Sequence, residues 1–126
     1  MTIKVSLLGI GNMGRNHLRV LSLLKNVEVV SIFDVNEIEL KKISEQYNVP
    51  YTTNADEAIS LADAVVIVTP TSTHYDYFLK CVGKVKNVFI EKPLADTLER
   101  GKKIKELSLE HDMNIQCGFI ERFNPV

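Results

Sequence analysis

A glycine-rich hexapeptide near the N-terminus, Gly9–Gly14, constrains the fold of this chain more than any other feature. It has the spacing G-x-G-x-x-G, and it joins an apolar run, Ile3–Leu8, to a segment of helical periodicity that begins at Met13. In such a strand–turn–helix unit the first glycine permits a tight turn, the second lets a pyrophosphate approach the backbone, and the third allows close packing of helix on strand. The helix N-terminus then offers N–H groups and partial positive charge to phosphates. The spacing therefore predicts a dinucleotide-binding unit.

Short apolar segments alternate with amphipathic ones along the whole chain. We predict strands at residues 3–8, 27–33, 49–52, 64–68, 88–90 and 114–118. Strands that alternate with helices form a parallel sheet covered on both faces. We therefore expect an α/β fold, a Rossmann-type doubly wound parallel sheet with strand order 3-2-1-4-5-6. The 126 residues suffice for one domain, which we place at 1–120, with 121–126 as the start of a connection to a substrate or oligomerisation domain absent from this chain.

The helical periodicity assigns a buried face to the first and last predicted helices. In the first helix this face consists of Met13, His17, Val20, Leu21 and Leu24. In the last helix, which we expect to begin at about Thr97, it consists of Leu98, Gly101, Ile104, Leu107 and Ser108. A mid-helix glycine costs about 1 kcal/mol relative to alanine. We therefore expect Gly101 to permit close packing of this helix on the sheet.

Two residue pairs have the spacing of a helix capping box, Asn36 with Glu39 and Thr73 with Asp76. Asp34 closes the second predicted strand, about 20 residues after the glycine loop. With Asn36 available as the cap, Asp34 is left to accept hydrogen bonds from the 2′- and 3′-hydroxyls of an adenosine ribose. Its charge would repel a 2′-phosphate, so this position favours NAD over NADP as the cofactor.

The charge balance and the cysteine count exclude several classes of function. Fifteen Lys and Arg residues against sixteen Asp and Glu leave a net charge of −1, which removes the electrostatic basis for binding nucleic acid or an anionic membrane. The N-terminal apolar run is too short for a signal peptide or a membrane span. Two cysteines, Cys81 and Cys117, are too few for a disulfide scaffold, so we expect a cytoplasmic protein. We interpret both as core residues and expect no metal site.

The three histidines have different interpretations. His17 lies on the apolar face of the first helix, where we expect a packed, hydrogen-bonded side chain. His111 belongs to the last turn of a helix, where its charge suits the helix dipole. We expect neither to lie near a strand end that faces a ligand. For His74, and for Thr73 before it, the residues alone leave open a helix-initiating role or a role at a ligand site.

Polar segments follow the fourth, fifth and sixth predicted strands, at residues 69–74, 91–93 and 118–124. Ligands of open α/β sheets bind beyond the carboxyl ends of the strands. In the second segment, Glu91-Lys92-Pro93, the proline stiffens the backbone that carries the lysine. A lysine there can hold a substrate hydroxyl and help to move its proton while hydride leaves for a nicotinamide. A surface lysine without such a role is the alternative that the residues alone leave open.

These motifs together resemble the N-terminal domain of the glucose–fructose oxidoreductase/inositol dehydrogenase (Gfo/Idh/MocA) family. The resemblance covers essentially the whole chain and rests on the glycine loop with His17, on Thr69-Pro70-Thr71 with His74, and on Glu91-Lys92-Pro93-Leu94-Ala95. It implies an NAD-dependent oxidoreductase that transfers hydride between the cofactor and a hydroxyl of a sugar, nucleotide sugar or cyclitol. Residues 118–125 are similar to the segment that leaves this domain in nucleotide-sugar dehydrogenases.

The resemblance also implies roles for individual residues. Lys92 would be the catalytic lysine and would contact the cofactor, the Lys92–Pro93 peptide bond would be cis, and Glu91 would lie near the nicotinamide ribose. The other cofactor-binding residues that it implies are Gly9, Gly11, Asn12, Met13, Gly14, Asp34, Thr69, Pro70, Thr71 and His74.

One motif of the family is missing. Members carry an Asp-x-x-x-His pair beside the lysine, whereas none of the three histidines here follows an aspartate by four residues. Half of the substrate pocket is therefore absent, and we expect this chain to bind NAD but to catalyse poorly alone. Two alternatives stay open, a stand-alone NAD(H)-binding regulatory module without turnover and a methyltransferase. We also expect an apolar surface around the fifth and sixth strands that drives self-association.

Overall fold

A six-stranded parallel sheet forms the centre of the computed structural model, which describes residues 1–118. The strands are β1 (Ile3–Leu8), β2 (Val27–Phe33), β3 (Tyr51–Thr52), β4 (Ala64–Ile67), β5 (Asn87–Ile90) and β6 (Asn114–Cys117). Their order is β3-β2-β1-β4-β5-β6, and every neighbouring pair is parallel. The predicted Rossmann-type topology is therefore confirmed. The predicted connection at 121–126 and nearly all of the polar segment at 118–124 lie outside the described residues.

Helices cover both faces of this sheet. They are α1 (Asn12–Leu23), α2 (Glu37–Tyr47), α3 (Ala55–Ser60), α4 (His74–Cys81) and α5 (Leu98–Glu110). A cluster on one face contains Leu18 of α1 and Leu40 of α2, and a cluster on the other contains Ile59 of α3, Phe78 of α4 and Ile104 of α5. Each of these five side chains is at most 1% exposed. Burying such a side chain contributes about 1.5–3 kcal/mol, so the two clusters are what holds the layers together.

The buried face of α1 differs from the predicted one. The buried residues of α1 are Gly14 and Leu18, whereas Met13, Val20 and Leu24 are 44%, 45% and 49% exposed. The prediction for these three residues is wrong because the glycine loop, and not the apolar stripe, sets the rotation of the helix. Gly14 lies against the backbone of the loop. This contact orients α1 so that part of the predicted buried face, including Met13, points toward solvent.

The buried face of α5 is also narrower than predicted. Thr97 caps the helix, accepting a hydrogen bond from the Arg100 N–H at 3.1 Å, and Ile104 is buried as expected. Leu98, however, is 78% exposed, and a Cβ added to Gly101 meets no atom of the described residues within 4 Å. The expectation that Gly101 permits close helix–sheet packing is therefore wrong, because α5 contacts the sheet one turn farther along.

The edges and helix ends agree largely with the sequence. Asn36 caps α2, accepting a hydrogen bond from the Glu39 N–H at 3.2 Å, as its spacing predicted. β3 is an edge strand, shorter than expected, that begins directly after Pro50. Across residues 1–118, no helix combines the length and the apolar composition that crossing a bilayer would need.

Candidate functional site

The glycine loop follows β1 at the carboxyl edge of the sheet, and its first and third glycines are sterically required. Gly9 has φ of 104°, and a Cβ there would lie 2.8 Å from the backbone of Val68 and Thr69. A Cβ on Gly14 would lie 2.0 Å from the carbonyl oxygen of Gly9. The tight turn and the close helix–strand packing predicted for these two glycines are confirmed.

The second glycine of the loop borders open space. A Cβ added to Gly11 meets no described atom within 4 Å. Gly11 is also the N-cap of α1, no side chain caps this helix end, and its first turn contains no acidic residue. Asn12 and Met13, the first two residues of the helix, are exposed. The positive end of the helix dipole therefore faces an accessible surface that fits an anionic group such as a pyrophosphate.

Asp34 follows β2 beside this loop and holds it. Its Oδ2 accepts a hydrogen bond from the Ile10 N–H at 2.9 Å, and its Oδ1 accepts one from the Asn36 N–H at 3.0 Å. Asn36, and not Asp34, caps α2, as expected, and the Asp34 carboxylate also bonds to the glycine loop. Each carboxylate oxygen keeps a second acceptor position. Burial and, secondly, the Asp34 charge raise the pKa of Tyr77, so this phenol of α4 lies within the field of the carboxylate.

The segment after β4 folds back on itself before α4 begins. The Thr73 Oγ1 lies 2.7 Å from Thr69 Oγ1 and 2.6 Å from the carbonyl oxygen of Pro70. Thr73 makes no side-chain cap with α4, so the predicted Thr73–Asp76 capping box is wrong. Its hydroxyl bonds within the segment instead, because a 3₁₀ turn, Thr71–Thr73, precedes the helix. Pro70 is exposed and Thr71 half-buried at the edge of the sheet.

His74 is the first residue of α4, and its ring joins two segments of the carboxyl edge. The side chain is buried, with Nε2 2.8 Å from the carbonyl oxygen of Thr69 and Nδ1 3.0 Å from that of Pro93. Both partners are acceptors, and a neutral imidazole donates from one nitrogen only. His74 therefore holds the segment after β4 against the segment after β5.

Glu91 directly follows β5 and pairs with His17 of α1. Glu91 Oε2 lies 2.8 Å from His17 Nε2, and Glu91 Oε1 accepts a hydrogen bond from the Lys92 N–H at 3.3 Å. The His17 ring also contacts Phe89, with centroids 5.4 Å apart. The expectation that His17 lies away from strand ends is wrong, because its ring reaches Phe89 of β5 and Glu91 at the end of that strand. His111 is the exposed C-cap of α5, as predicted.

Lys92 extends outward from the turn that Glu91 begins. The Lys92–Pro93 peptide bond is cis, as the resemblance implied. Lys92 is exposed, and its side chain runs past Gly118, where an added Cβ would lie 3.0 Å from Lys92 Cβ. Burial and the Glu91 charge raise the pKa of the Cys117 thiol, and Lys92 opposes the shift. The ends of β5 and β6 therefore converge around the lysine.

The structure thus brings the predicted site residues to one edge of the sheet. The glycine loop and Asp34 lie at the ends of β1 and β2, while the turn with Lys92 lies at the end of β5. Arg15 bonds to the loop and to Glu39 of α2, and no local pattern signals this role because Glu39 is 24 residues away. Within the described part of the chain, no three His, Cys, Asp or Glu side chains are arranged to hold a metal ion.

Comparison with known proteins identifies the family. The model of the Gfo/Idh/MocA family, described as "Oxidoreductase family, NAD-binding Rossmann fold", matches residues 3–119. The glucose-6-phosphate 3-dehydrogenase of Bacillus subtilis (strain 168) is 28% identical over 120 residues, which are 95% of this chain and 34% of that protein. The scyllo-inositol 2-dehydrogenase (NAD(+)) of the same organism is 34% identical over 133 residues, covering 98% of this chain and 37% of that protein.

A solved structure shows the same architecture with a cofactor present. The scyllo-inositol dehydrogenase from Lactobacillus casei with bound NAD(H) and scyllo-inositol superposes with a TM-score of 0.90 at 25% identity, covering 99% of this chain and 38% of that chain. The present chain thus spans well under half the length of these relatives, within their NAD-binding part. By its sequence match, its sheet topology and its glycine loop, the chain belongs to the Gfo/Idh/MocA family of NAD-binding oxidoreductases.

Proposed function

We propose that this chain is the cofactor domain of a dehydrogenase that transfers hydride between NAD and a hydroxyl-bearing carbon of a sugar, nucleotide sugar or cyclitol. One observation carries the proposal: an uncapped helix N-terminus, a carboxylate and a lysine turn share the carboxyl edge of the sheet. The chain spans 34% and 37% of two dehydrogenase relatives. We therefore expect it to bind NAD and to catalyse poorly until a second domain completes the substrate pocket.

The proposed cofactor would lie along this edge against residues of matching chemistry. The N–H groups of the glycine loop and of the α1 N-terminus suit the pyrophosphate. The remaining acceptor positions of Asp34 suit the hydroxyls of the adenosine ribose. Glu91 would approach the nicotinamide ribose through the lone pairs that His17 and Lys92 leave. The residues proposed to line the rest of the cofactor are Thr69, Pro70 and Thr71, and the buried His74 would act there by holding this segment against the turn after β5.

Lys92 would serve as the general acid–base of the reaction. When bound, NAD⁺ supplies the acceptor for the hydride that leaves the alcohol carbon. The Lys92 amine would hold the alcohol hydroxyl and take its proton as the C–H bond breaks, so that the carbon–oxygen bond becomes a carbonyl. In the reverse direction the ammonium would return that proton. The exposure of Lys92 at the end of β5 supports access to a substrate.

Calorimetric titration of the chain with NAD⁺, NADH, NADPH and S-adenosylmethionine in parallel tests the cofactor assignment. We expect saturable binding of NAD⁺ and NADH, weakened by Asp34→Ala more for NAD than for NADP. The matched control is Asp56→Ala, at an exposed aspartate of α3 that pairs with Lys80 of α4. Equal loss for both cofactors, or none, would refute the ribose assignment. Binding of S-adenosylmethionine alone would indicate a methyltransferase, and no binding to a folded sample would refute the proposal.

The catalytic assignment needs the enzyme completed with its second domain. Lys92→Ala should leave NAD affinity unchanged and abolish turnover, whereas the control Lys84→Ala, at an exposed lysine after α4, should leave both unchanged. Turnover that survives Lys92→Ala would contradict the acid–base role. Retained NAD affinity without turnover of any sugar by the completed wild type would favour the regulatory-module alternative.

We also propose that the isolated chain self-associates through α5 and β6. Leu98 and Leu109 of α5 are 78% and 84% exposed, and a groove of about 550 Å³ runs between Ile104, Met113 and the end of β6. An apolar surface of this kind favours association. Sedimentation velocity at increasing concentration should show dimers or larger species, and a monomer at every concentration would contradict the proposal. The cysteine usage supports a cytoplasmic location, which cell fractionation would test.

A further inference from the structure

Arg15, in the first turn of α1, is held between the glycine loop and α2. Its Nε donates a hydrogen bond to the carbonyl oxygen of Ile10 at 3.0 Å, and its Nη2 donates one to Glu39 Oε2 at 2.8 Å. The N–H of the same Ile10 donates to Asp34 Oδ2. Arg15 and Asp34 therefore both bond to the backbone of Ile10. The guanidinium of Arg15 thus lies on the same side of the loop as Asp34, the carboxylate proposed to bind the ribose.

This guanidinium has the chemistry of a phosphate ligand. An arginine near the end of the second strand accommodates the 2′-phosphate of NADP in Rossmann domains, whereas an acidic residue there selects NAD. Arginine binds phosphate oxygens in a bidentate manner through its planar fork of donors. The chain thus carries both an NAD-selecting carboxylate, Asp34, and a cation capable of the opposite preference.

Glu39 forms an ion pair with the guanidinium of Arg15. It is the third residue of α2, and its backbone N–H is fixed by the Asn36 cap. The side chains of Arg15 and Glu39 are 42% and 38% exposed, so solvent and a ligand can reach the pair. A second cation, Lys42, lies 3.7 Å from Glu39 Oε1, which leaves Oε2 to Arg15.

We propose that Glu39 is a determinant of cofactor specificity: by pairing with Arg15 it withholds the guanidinium from a 2′-phosphate and so reinforces the preference for NAD. This inference rests on the proposed binding of NAD by the chain. Glu39 would act on the 2′-phosphate indirectly, by holding Arg15, whereas Asp34 would act directly, by repelling the phosphate. If the Arg15–Glu39 pair only stabilised the packing of α1 on α2, its loss would lower stability and leave the ratio of the NADH and NADPH affinities unchanged.

The test uses the whole chain with Asp34→Ser as the background, so that direct repulsion does not mask binding of NADPH. NADH and NADPH are titrated by the change in their fluorescence against Asp34→Ser, Asp34→Ser/Glu39→Gln, and the triple variant that adds Arg15→Gln. Glutamine at the third helix position preserves a capping box, so Glu39→Gln removes the charge with little change to α2. The matched control is Glu45→Gln, an exposed glutamate near the other end of the same helix.

A charge-assisted bond to phosphate corresponds to roughly a tenfold gain in affinity. We expect Glu39→Gln to tighten NADPH binding by about this factor while NADH binding changes by less than about twofold. Arg15→Gln should abolish the gain, and Glu45→Gln should not reproduce it. Urea midpoints of all variants check that each is folded.

The possible failures are distinguishable. Unchanged NADPH affinity in a folded Glu39→Gln variant that binds NADH overturns this inference alone. A gain that persists with Arg15→Gln, or that Glu45→Gln matches, also overturns it, because the effect would then be one of net charge. If the wild-type chain binds neither NADH nor NADPH, the proposed function fails and this inference fails with it.

Discussion

Two glycine-to-alanine substitutions, both inside helices, should change stability in opposite directions. At Gly14 the new Cβ would lie 2.0 Å from the Gly9 carbonyl oxygen, 1.4 Å short of the ordinary contact distance of 3.4 Å. The obstacle is backbone, so α1 must move away from the loop. At Gly101 the Cβ meets no described atom within 4 Å. The first substitution introduces overlap, and the second adds only helix propensity.

The magnitudes follow from these two environments. Overpacking of a tight contact costs about 1–3 kcal/mol or more, and alanine regains about 1 kcal/mol of helix propensity. Gly14→Ala should therefore lower the free energy of unfolding by about 2 kcal/mol, while Gly101→Ala should raise it by about 0.5–1 kcal/mol. With a urea slope of about 2 kcal/mol/M, the midpoint falls by about 1 M in the first variant and rises by a few tenths of 1 M in the second.

Urea unfolding followed by circular dichroism measures both effects under one condition. Calorimetric titration with NAD⁺ adds a second readout, because a displaced α1 should weaken cofactor binding in Gly14→Ala and leave it intact in Gly101→Ala. The reasoning is refuted if Gly101→Ala destabilises the chain as much as Gly14→Ala. It is equally refuted if Gly14→Ala matches the wild type in both stability and binding.

Three further predictions concern buried side chains. His74→Phe should lower the free energy of unfolding by about 1–3 kcal/mol because a buried carbonyl loses its hydrogen-bond donor, whereas His111→Phe at an exposed C-cap should change it by less than about 0.5 kcal/mol; equal urea midpoints would contradict this. A thiol reagent should modify half-buried Cys117 in the folded chain and reach buried Cys81 only on unfolding, and Cys117→Ser should remove the fast phase. Burial raises the pKa of the Cys81 thiol to about 12 from 9.0. The stability that the buried neutral thiol contributes is therefore complete below pH 9 and is lost between pH 9 and pH 12, where the thiol of the unfolded chain ionises first. Cys81→Ala should make the fall of unfolding free energy with rising pH shallower, and an unchanged fall would contradict the burial of Cys81.

The topology could be predicted because local signals and packing agree. The apolar runs of β1, β2 and β4 are short and bounded by turn residues, and a parallel sheet with helical connections is the arrangement that buries them on both faces. The glycine loop was equally readable, since Gly9 and Gly14 perform their roles within a few residues of one another. The contact between Gly14 and the Gly9 carbonyl lies within one short stretch of sequence.

The helix faces and the contacts of the site could not be read in this way. The rotation of α1 depends on how Gly14 meets the loop, and periodicity does not contain that information. His17 and Glu91 are separated by 74 residues, and Thr73 bonds to Thr69 in place of the helix that its spacing suggested. In each case a tertiary contact, or a turn before the helix, overrides the local preference.

The side chains of Asp34, His17 and His74 each bond to a segment other than their own, and together they bridge neighbouring connections from β2 to β5. The consequence concerns the entropy of binding. An edge whose loops are already fastened to one another loses little conformational freedom when a long ligand settles along it, so most of the contact energy remains available as affinity. The two ends of such a ligand, although far apart, would contact surfaces whose relative positions are already fixed before the ligand binds.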